Sequence, residues 1–153
     1  MRITLDTNVL VSAFISKRGH PATILDLVGT FEEITLVLSD EILKEFVKVM
    51  TRKEVRKRFG HNTLDVSELE RAIRGIAKIV KVESEFKVVE EDPEGDVIVD
   101  TAYDRKADYI VSGDKHLLKL RKFKGVHVVS PRVFLAIVTR RFGDLILPKS
   151  DVA

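Results

Sequence analysis

The sequence predicts an α/β fold: a three-layer α/β/α domain built on a central, mostly parallel sheet. Two observations carry this. Four short apolar segments read as strands, and each is followed within a residue or two by a helix start signal. The strands are apolar on both faces, as a parallel sheet covered by helices on both sides requires. At 153 residues, with no repeat, low-complexity segment or linker, residues 1–153 are expected to form one domain with a real core.

The first strand, "ITLD" (3–6), leads into the helix "TNVLVSAFIS" (7–16), and "PATILDLVG" (21–29) reads as a further helix. The second strand, "EITLVLS" (33–39), leads into "DEILKEFVKVM" (40–50), where Ser39 is the N-cap and Asp40 and Glu41 fill the first turn. Helix is expected from Ser39 to about Val80, broken near "FGHNTLD" by Gly60 and Asn62. Pro93 and Gly95 make "DPEGD" (92–96) a turn, with Asp96 the cap or first residue of a helix that includes "VIVDTAYDRK". The third strand, "DYIVSGD" (108–114), leads into "KHLLKL". The fourth, "VHVVS" (126–130), leads into Pro131 at the first helical position of "PRVFLAIVTRR".

Composition narrows the chemistry. Cysteine is absent, which excludes disulfides, thiolate metal sites and cysteine nucleophiles. Chemistry rests on oxygen ligands, hydroxyls or the four histidines. A third of the residues are charged, glutamine is absent and asparagine occurs only at Asn8 and Asn62, a composition resembling that of thermophiles. The net charge of +2 is too small to argue for nucleic acid by itself. No signal-peptide pattern and no apolar run of about 18 residues is present, so a soluble cytoplasmic protein with no membrane partner is expected.

In a parallel sheet the residues just after each strand lie along one carboxyl edge, where open α/β sheets bind ligands. Asp6, Ser39, Asp114 and Ser130 are expected to line that rim. Asp6 and Asp114 are each either a helix cap or a ligand, and the pair favours the second reading. Glu45 falls at the margin of the apolar stripe Ile42, Phe46, Val49 and Met50, so it is either solvated or leans over the rim. Asp96 and Asp100 share a helix face; capping is the plain alternative for Asp96, and a wet helix face for Asp100 and above all for Asp104. Carboxylates converging without Cys or His suit Mg²⁺ or Mn²⁺ rather than Zn²⁺, and such ions serve phosphodiester hydrolysis.

"LDTN" at the first strand, the Glu in "DEILKEF", "GDVIVDTA" and "IVSGDKHLL" resemble, in order and placement, the four acidic motifs of PIN domains. The resemblance covers nearly the whole chain and is closest to the toxin–antitoxin branch related to VapC-type toxins. It implies a metal-dependent ribonuclease acting on single-stranded RNA, with Mg²⁺ or Mn²⁺ held by Asp6, Glu45, Asp96 and Asp114. Asn8 and Ser112 match polar positions that orient a carboxylate or hold substrate, and Asp100 matches a position acidic in only some branches. Gly95 departs from close relatives, which often carry another Asp there. The resemblance also implies an antitoxin partner covering the rim and a homodimer, for which the helix "VFLAIV" and the tail "DLILP" offer either surface or core. A PIN nuclease of RNA processing without an antitoxin, or an inactive PIN binding module, is the alternative. An aspartyl phosphatase is disfavoured because Asn8 stands where its second Asp would be.

Basic residues cluster in 52–61 and 115–124, with Arg140 and Arg141 beyond. They are either solvated helix faces or a phosphate track, of which Lys115, next to Asp114, is the nearest member. Phe59 and Phe123 are the aromatic residues among them, either stacking platforms or core. His116 is expected on a helix face.

Overall fold

The computed structural model describes residues 1–59, 65–89 and 92–146. Its elements are β1 (Arg2–Leu5), α1 (Thr7–Ile15), α2 (His20–Thr30), β2 (Thr35–Ser39), α3 (Asp40–Met50), α4 (Lys53–Phe59), α5 (Val66–Ile76), β3 (Ala77–Val80), α6 (Pro93–Asp104), β4 (Tyr109–Val111), α7 (Lys115–Leu118), β5 (Lys122–Phe123), β6 (Val126–Val129) and α8 (Pro131–Ile146). The strands form one sheet in the order β3-β2-β1-β4-β6-β5, parallel throughout except where β5 turns back on β6. Ile3 and Leu5 of β1, Leu36 and Leu38 of β2 and Ile110 of β4 are wholly buried, and Phe46 and Phe134 cover them from α3 and α8. Burying each such side chain contributes roughly 1.5–3 kcal/mol, and that term holds the layers together.

The α/β class and the mostly parallel sheet stand as expected; two strands do not. The expected helix to about Val80 ends instead at Ile76, and Ala77–Val80 enters the sheet beside β2, from Leu36↔Ala77 to Ser39↔Val80. Ala77, the residue that ends α5, is already extended (φ −109°, ψ 155°), so helix passes to strand with no turn residue between them. Four residues are too few to display an alternating period. β5 is shorter still, and its turn to β6 uses Lys124 and Gly125, both at positive φ (46° and 89°), as a two-residue primed turn demands. Each edge of the sheet is short and carries an exposed lysine, Lys78 or Lys122. The break expected at Gly60 and Asn62 lies outside the described residues, as do the side chains of Phe59 and of the "DLILP" tail.

Helix α6 begins at Pro93 rather than at Asp96, because Asp92 takes the N-cap and accepts from Gly95 N at 3.2 Å. Asp96 therefore stands one turn inside the helix. Residues 81–89, which connect β3 to α6, are fastened by the carboxylates of that helix. Asp104 Oδ2 accepts from the backbone N–H groups of Glu83 (2.7 Å) and Ser84 (3.0 Å), and Oδ1 from the Ser84 hydroxyl. Asp100 Oδ1 accepts from Phe86 N at 2.8 Å, and Asp96 Oδ1 from Val88 N and Val89 N at 2.9 Å each. The fit has a geometric cause: four helical residues advance about 6.0 Å and two extended residues about 6.6 Å, so the two runs stay in step for three rungs. Asp104 and Asp100 are thus not the wet face expected of them; Asp100 is 6% exposed. The same connection explains Gly95. A Cβ there would stand 2.9 Å from Val89 Cγ1 and 3.0 Å from Asp92 Oδ2, so any larger side chain meets crowding.

On α8 the "VFLAIV" segment divides. Phe134 and Val138 are core, while Val133 is 47% exposed and Ala136 also faces outward.

Two outcomes follow from this packing. Gly95→Ala should lower stability by about 1–3 kcal/mol through overpacking, although alanine is the better helix former. Urea unfolding gives the sign. Burial acts to raise the Asp104 pKa, but hydrogen bonds from Ser84 and Glu83 outweigh it and hold it below the ordinary value of 3.8. Its contribution is accordingly present at neutral pH and lost as the pH falls through the carboxylate range. Asp104→Ala should cost about 1–3 kcal/mol at neutral pH and speed amide exchange at Glu83 and Ser84.

Candidate active site

The polar residues at the carboxyl ends of β1, β2, β4 and β6 face the same edge, and three of them cap the helix that follows. Ser39 Oγ accepts from Ile42 N (3.4 Å), Asp114 Oδ1 from His116 N (2.9 Å) and Ser130 Oγ from Val133 N (3.2 Å). Asp6 is the exception: it occupies the N-cap position of α1 but makes no side-chain capping bond. Its Oδ2 instead accepts from the Ser112 hydroxyl at 2.7 Å, and Ser112 Oγ in turn accepts from Asp114 N at 3.0 Å. The ladder sets this geometry, since Asp6 N donates to Val111 O (3.0 Å) and Ser112 N to Val129 O (2.9 Å). Ser112 is fully buried and Asp6 is 8% exposed.

Burial pushes the Asp6 carboxyl above its ordinary value; the Ser112 hydrogen bond opposes this, and the neighbouring Asp114 charge adds to it. Asp6 and Asp114 thus form a close acidic pair. Glu45, half-buried on α3, meets a second acid across the cleft, Glu94 in the first turn of α6. Burial first, and then the Glu45 carboxyl, raise the Glu94 pKa. Sequence reasoning passed over Glu94; the available signal was its place in "DPEGD", two residues before Asp96.

The four expected acids do not close on one point. Asp96 turns one oxygen to the 88–89 backbone, and among the described residues no three His, Asp or Glu side chains form a ready-made metal site. Two oxygen-only pairs result instead. Among the described residues the only ion pairs are those of Arg74 with Asp40 and Glu70, so no basic side chain forms an ion pair with either acidic pair. Such a donor set fits a hard divalent cation. Asn8 and Lys115 are exposed at the same edge, and His116 lies on the exposed face of α7. The second basic cluster is split: Lys115 stands at the rim, whereas Lys124 lies at the opposite end of the sheet. There its Nζ sits 5.8 Å from the Phe123 ring and 5.9 Å from that of Phe86. Phe123 packs edge-on against Phe86 and is not a free stacking platform.

A family model described as a PIN domain matches residues 2–116, a span that contains all four acids and Ser112. The chain belongs to the PIN-domain family. PIN domains are generally nucleases that use divalent metals. The uncharacterized protein MJ1680 of Methanocaldococcus jannaschii is 33% identical over 144 residues, covering 88% of this chain and 90% of the relative. Among solved structures, that of VapBC2 from Rickettsia felis bound to a DNA fragment from their promoter is similar. It has a TM-score of 0.56 and 15% identity, covering 84% of this chain and 97% of that one. At this identity the likeness is one of fold. No helix among the described residues of this PIN domain is long and apolar enough to cross a membrane.

A raised Asp6 pKa means that the folded chain holds this proton more tightly than the unfolded one. Stability of the metal-free protein therefore falls as the pH rises from the ordinary carboxylate value through the raised one. Asp6→Asn should stabilise it above that window, by on the order of 1 kcal/mol or about 2–4 °C, with no gain below it. Melting curves in chelator across the pH range check both halves.

Proposed function

We propose that this PIN domain is a Mg²⁺- or Mn²⁺-dependent ribonuclease that hydrolyses single-stranded RNA in the cytoplasm, with residues 1–153 forming one nuclease domain. The observation that carries the reading is Asp6, a buried carboxylate that caps nothing and is set beside a second acid with no basic partner. Keeping it ionised at neutral pH is costly without a cation. Family membership supplies the reaction class.

In this reading Asp6, Glu45, Asp96 and Asp114 hold the metal, with Asp100 supporting the helix rather than the ion. A bound divalent ion supplies Lewis acidity toward phosphoryl oxygen and a water of lowered pKa. Ser112 orients the Asp6 carboxylate by donating to its Oδ2. Asp96 Oδ1 anchors residues 88–89, and among the described residues no backbone N–H bonds its Oδ2. Asn8 and Lys115, exposed at the rim, contact the RNA; Lys115 contributes affinity that weakens with salt and carries no base preference.

The Rickettsia felis neighbour is a VapBC2 assembly, and by that likeness we extend the proposal to a toxin whose antitoxin covers the acidic rim. A second copy of the chain would meet the exposed Val133–Ala136 strip of α8 to form the homodimer.

The purified protein should cleave single-stranded RNA with Mg²⁺ or Mn²⁺ and stop in chelator. Asp6→Asn and Asp114→Asn should each cut the rate by about a hundredfold or more, the scale of losing one stabiliser of developing charge. Persistence of cleavage in chelator, or in both variants, overturns the mechanism. Binding of a co-expressed antitoxin should suppress cleavage by the wild type.

A further inference from the structure

We infer that Arg2, Lys78 and Arg105 form a binding site for a phosphoryl group, at the far end of β1 from the acidic rim and independent of the proposed metal. The parallel register assembles it. Arg2 pairs with Thr35 and Lys78 with Val37, and Thr35 and Val37 are two residues apart on β2, so Arg2 and Lys78 lie on one face of the sheet. That face is the one α6 covers, since Ser39, two residues further along β2, shares a 2.9 Å hydrogen bond with Thr101 of α6. Helix α6 stops at Asp104, and its C-cap residue is Arg105. There a cavity of about 410 Å³ opens, lined by the three cations over a floor of Val37, Ile79 and Val80, with no acidic residue among the described residues that line it. Arg2 and Asp6 stand about 13 Å apart at strand spacing, so this cavity and the acidic rim are separate places.

The nearby carboxylates are already engaged elsewhere. Asp104 accepts from the Glu83 and Ser84 backbone and from the Ser84 hydroxyl, and Asp108 Oδ2 accepts from Arg2 N at 2.8 Å. Arg2 Nη1 donates to Arg105 O at 3.1 Å, a bond to a neutral carbonyl that ties the Arg2 side chain to the Arg105 backbone without cancelling either charge. A guanidinium has five N–H donors, so most of those on Arg2 are left for a ligand. Among the described residues none of the three cations makes an ion pair. Like charges that line one cavity repel unless an anion or water screens them, and a merely solvated basic surface is the competing account. The donor set selects the anion. A planar carboxylate offers two oxygens, which one arginine fork satisfies, whereas a tetrahedral phosphoryl group presents oxygens to both arginines and to the lysine. The cavity has the size of a small-molecule site, and its aliphatic floor suits the sugar of a nucleotide. Such a phosphoryl group comes either from the backbone of single-stranded RNA or from a free nucleotide.

Both sources are tested on the full chain in chelator, which keeps RNA intact. Adenosine monophosphate, added at constant ionic strength and followed by two-dimensional proton–nitrogen NMR, should shift the Arg2 and Arg105 Nε–H signals and the Lys78–Val80 amides, while adenosine should not. Binding of single-stranded RNA is read in parallel by fluorescence anisotropy across a range of salt. Combining Arg2→Gln, Lys78→Gln and Arg105→Gln should weaken binding of the phosphorylated ligand by about tenfold or more. If the ligand is RNA backbone, the triple variant also flattens the slope of log affinity against log salt by about two. If it is a free nucleotide, the triple variant loses adenosine monophosphate and keeps its RNA affinity. Arg2→Lys in place of Arg2→Gln should retain part of the binding, and native circular dichroism of the triple variant guards against a folding defect. Equal shifts with adenosine, or adenosine monophosphate and RNA binding both unchanged in the triple variant, overturn the site in favour of solvated cations. Asp114→Asn should leave every signal at this cavity in place, so this inference and the proposed function fail separately.

Discussion

One hydroxyl holds the rim together. Ser112 Oγ donates to Asp6 and accepts from the Asp114 backbone, and it does so from a fully buried position between β1 and β4. In the strand order β3-β2-β1-β4-β6-β5, the chain runs outward from β1 in one direction and from β4 in the other. The gap at the carboxyl ends of these two strands is thus the switch point at which open parallel sheets leave room for a ligand. The apolar strands beneath supply the desolvation that makes Asp6 a strained acid, and the parallel register brings Asp114 beside it. Neither strand alone would create the site.

Helix α6 is the second fixed point, and its acids divide by turn. Glu94 faces α3 across the cleft, while Asp96, Asp100 and Asp104 form rungs under residues 83–89. These rungs give backbone N–H groups a partner that no strand provides, so the connection from β3 is fixed without joining the sheet. Its course also sets the start of α6, because Val89 and the Asp92 cap press against Gly95. The positions of Glu94 and Asp96 therefore depend on a segment that carries no chemistry itself.

Much of this was legible in the sequence, and the reasons differ by residue. Strand-then-helix order and two-sided apolar strands identified the parallel sheet, and the match of Asp6, Glu45, Asp96 and Asp114 to four spaced motifs identified the family. Whether the Asp6 side chain caps α1 was not decidable from position, since Asp114 occupies the same kind of position and does cap. The difference lies in Ser112, which stands 106 residues from Asp6 in the chain. The α6 ladder was misread for a related reason: i, i+4 acids look solvated until the partner is seen to be backbone, which has no sequence signature. β3 and β5 escaped because four and two residues carry too little pattern.

The sheet's margins restrict how this fold meets other chains. β3 offers four residues of open ladder and β5 only two, and each carries a lysine pointing to solvent. Strand addition needs a longer uncharged margin, and lysine on an edge is a recognised guard against it. A partner of this domain is thereby directed to its helices or its acidic rim rather than to the sides of the sheet.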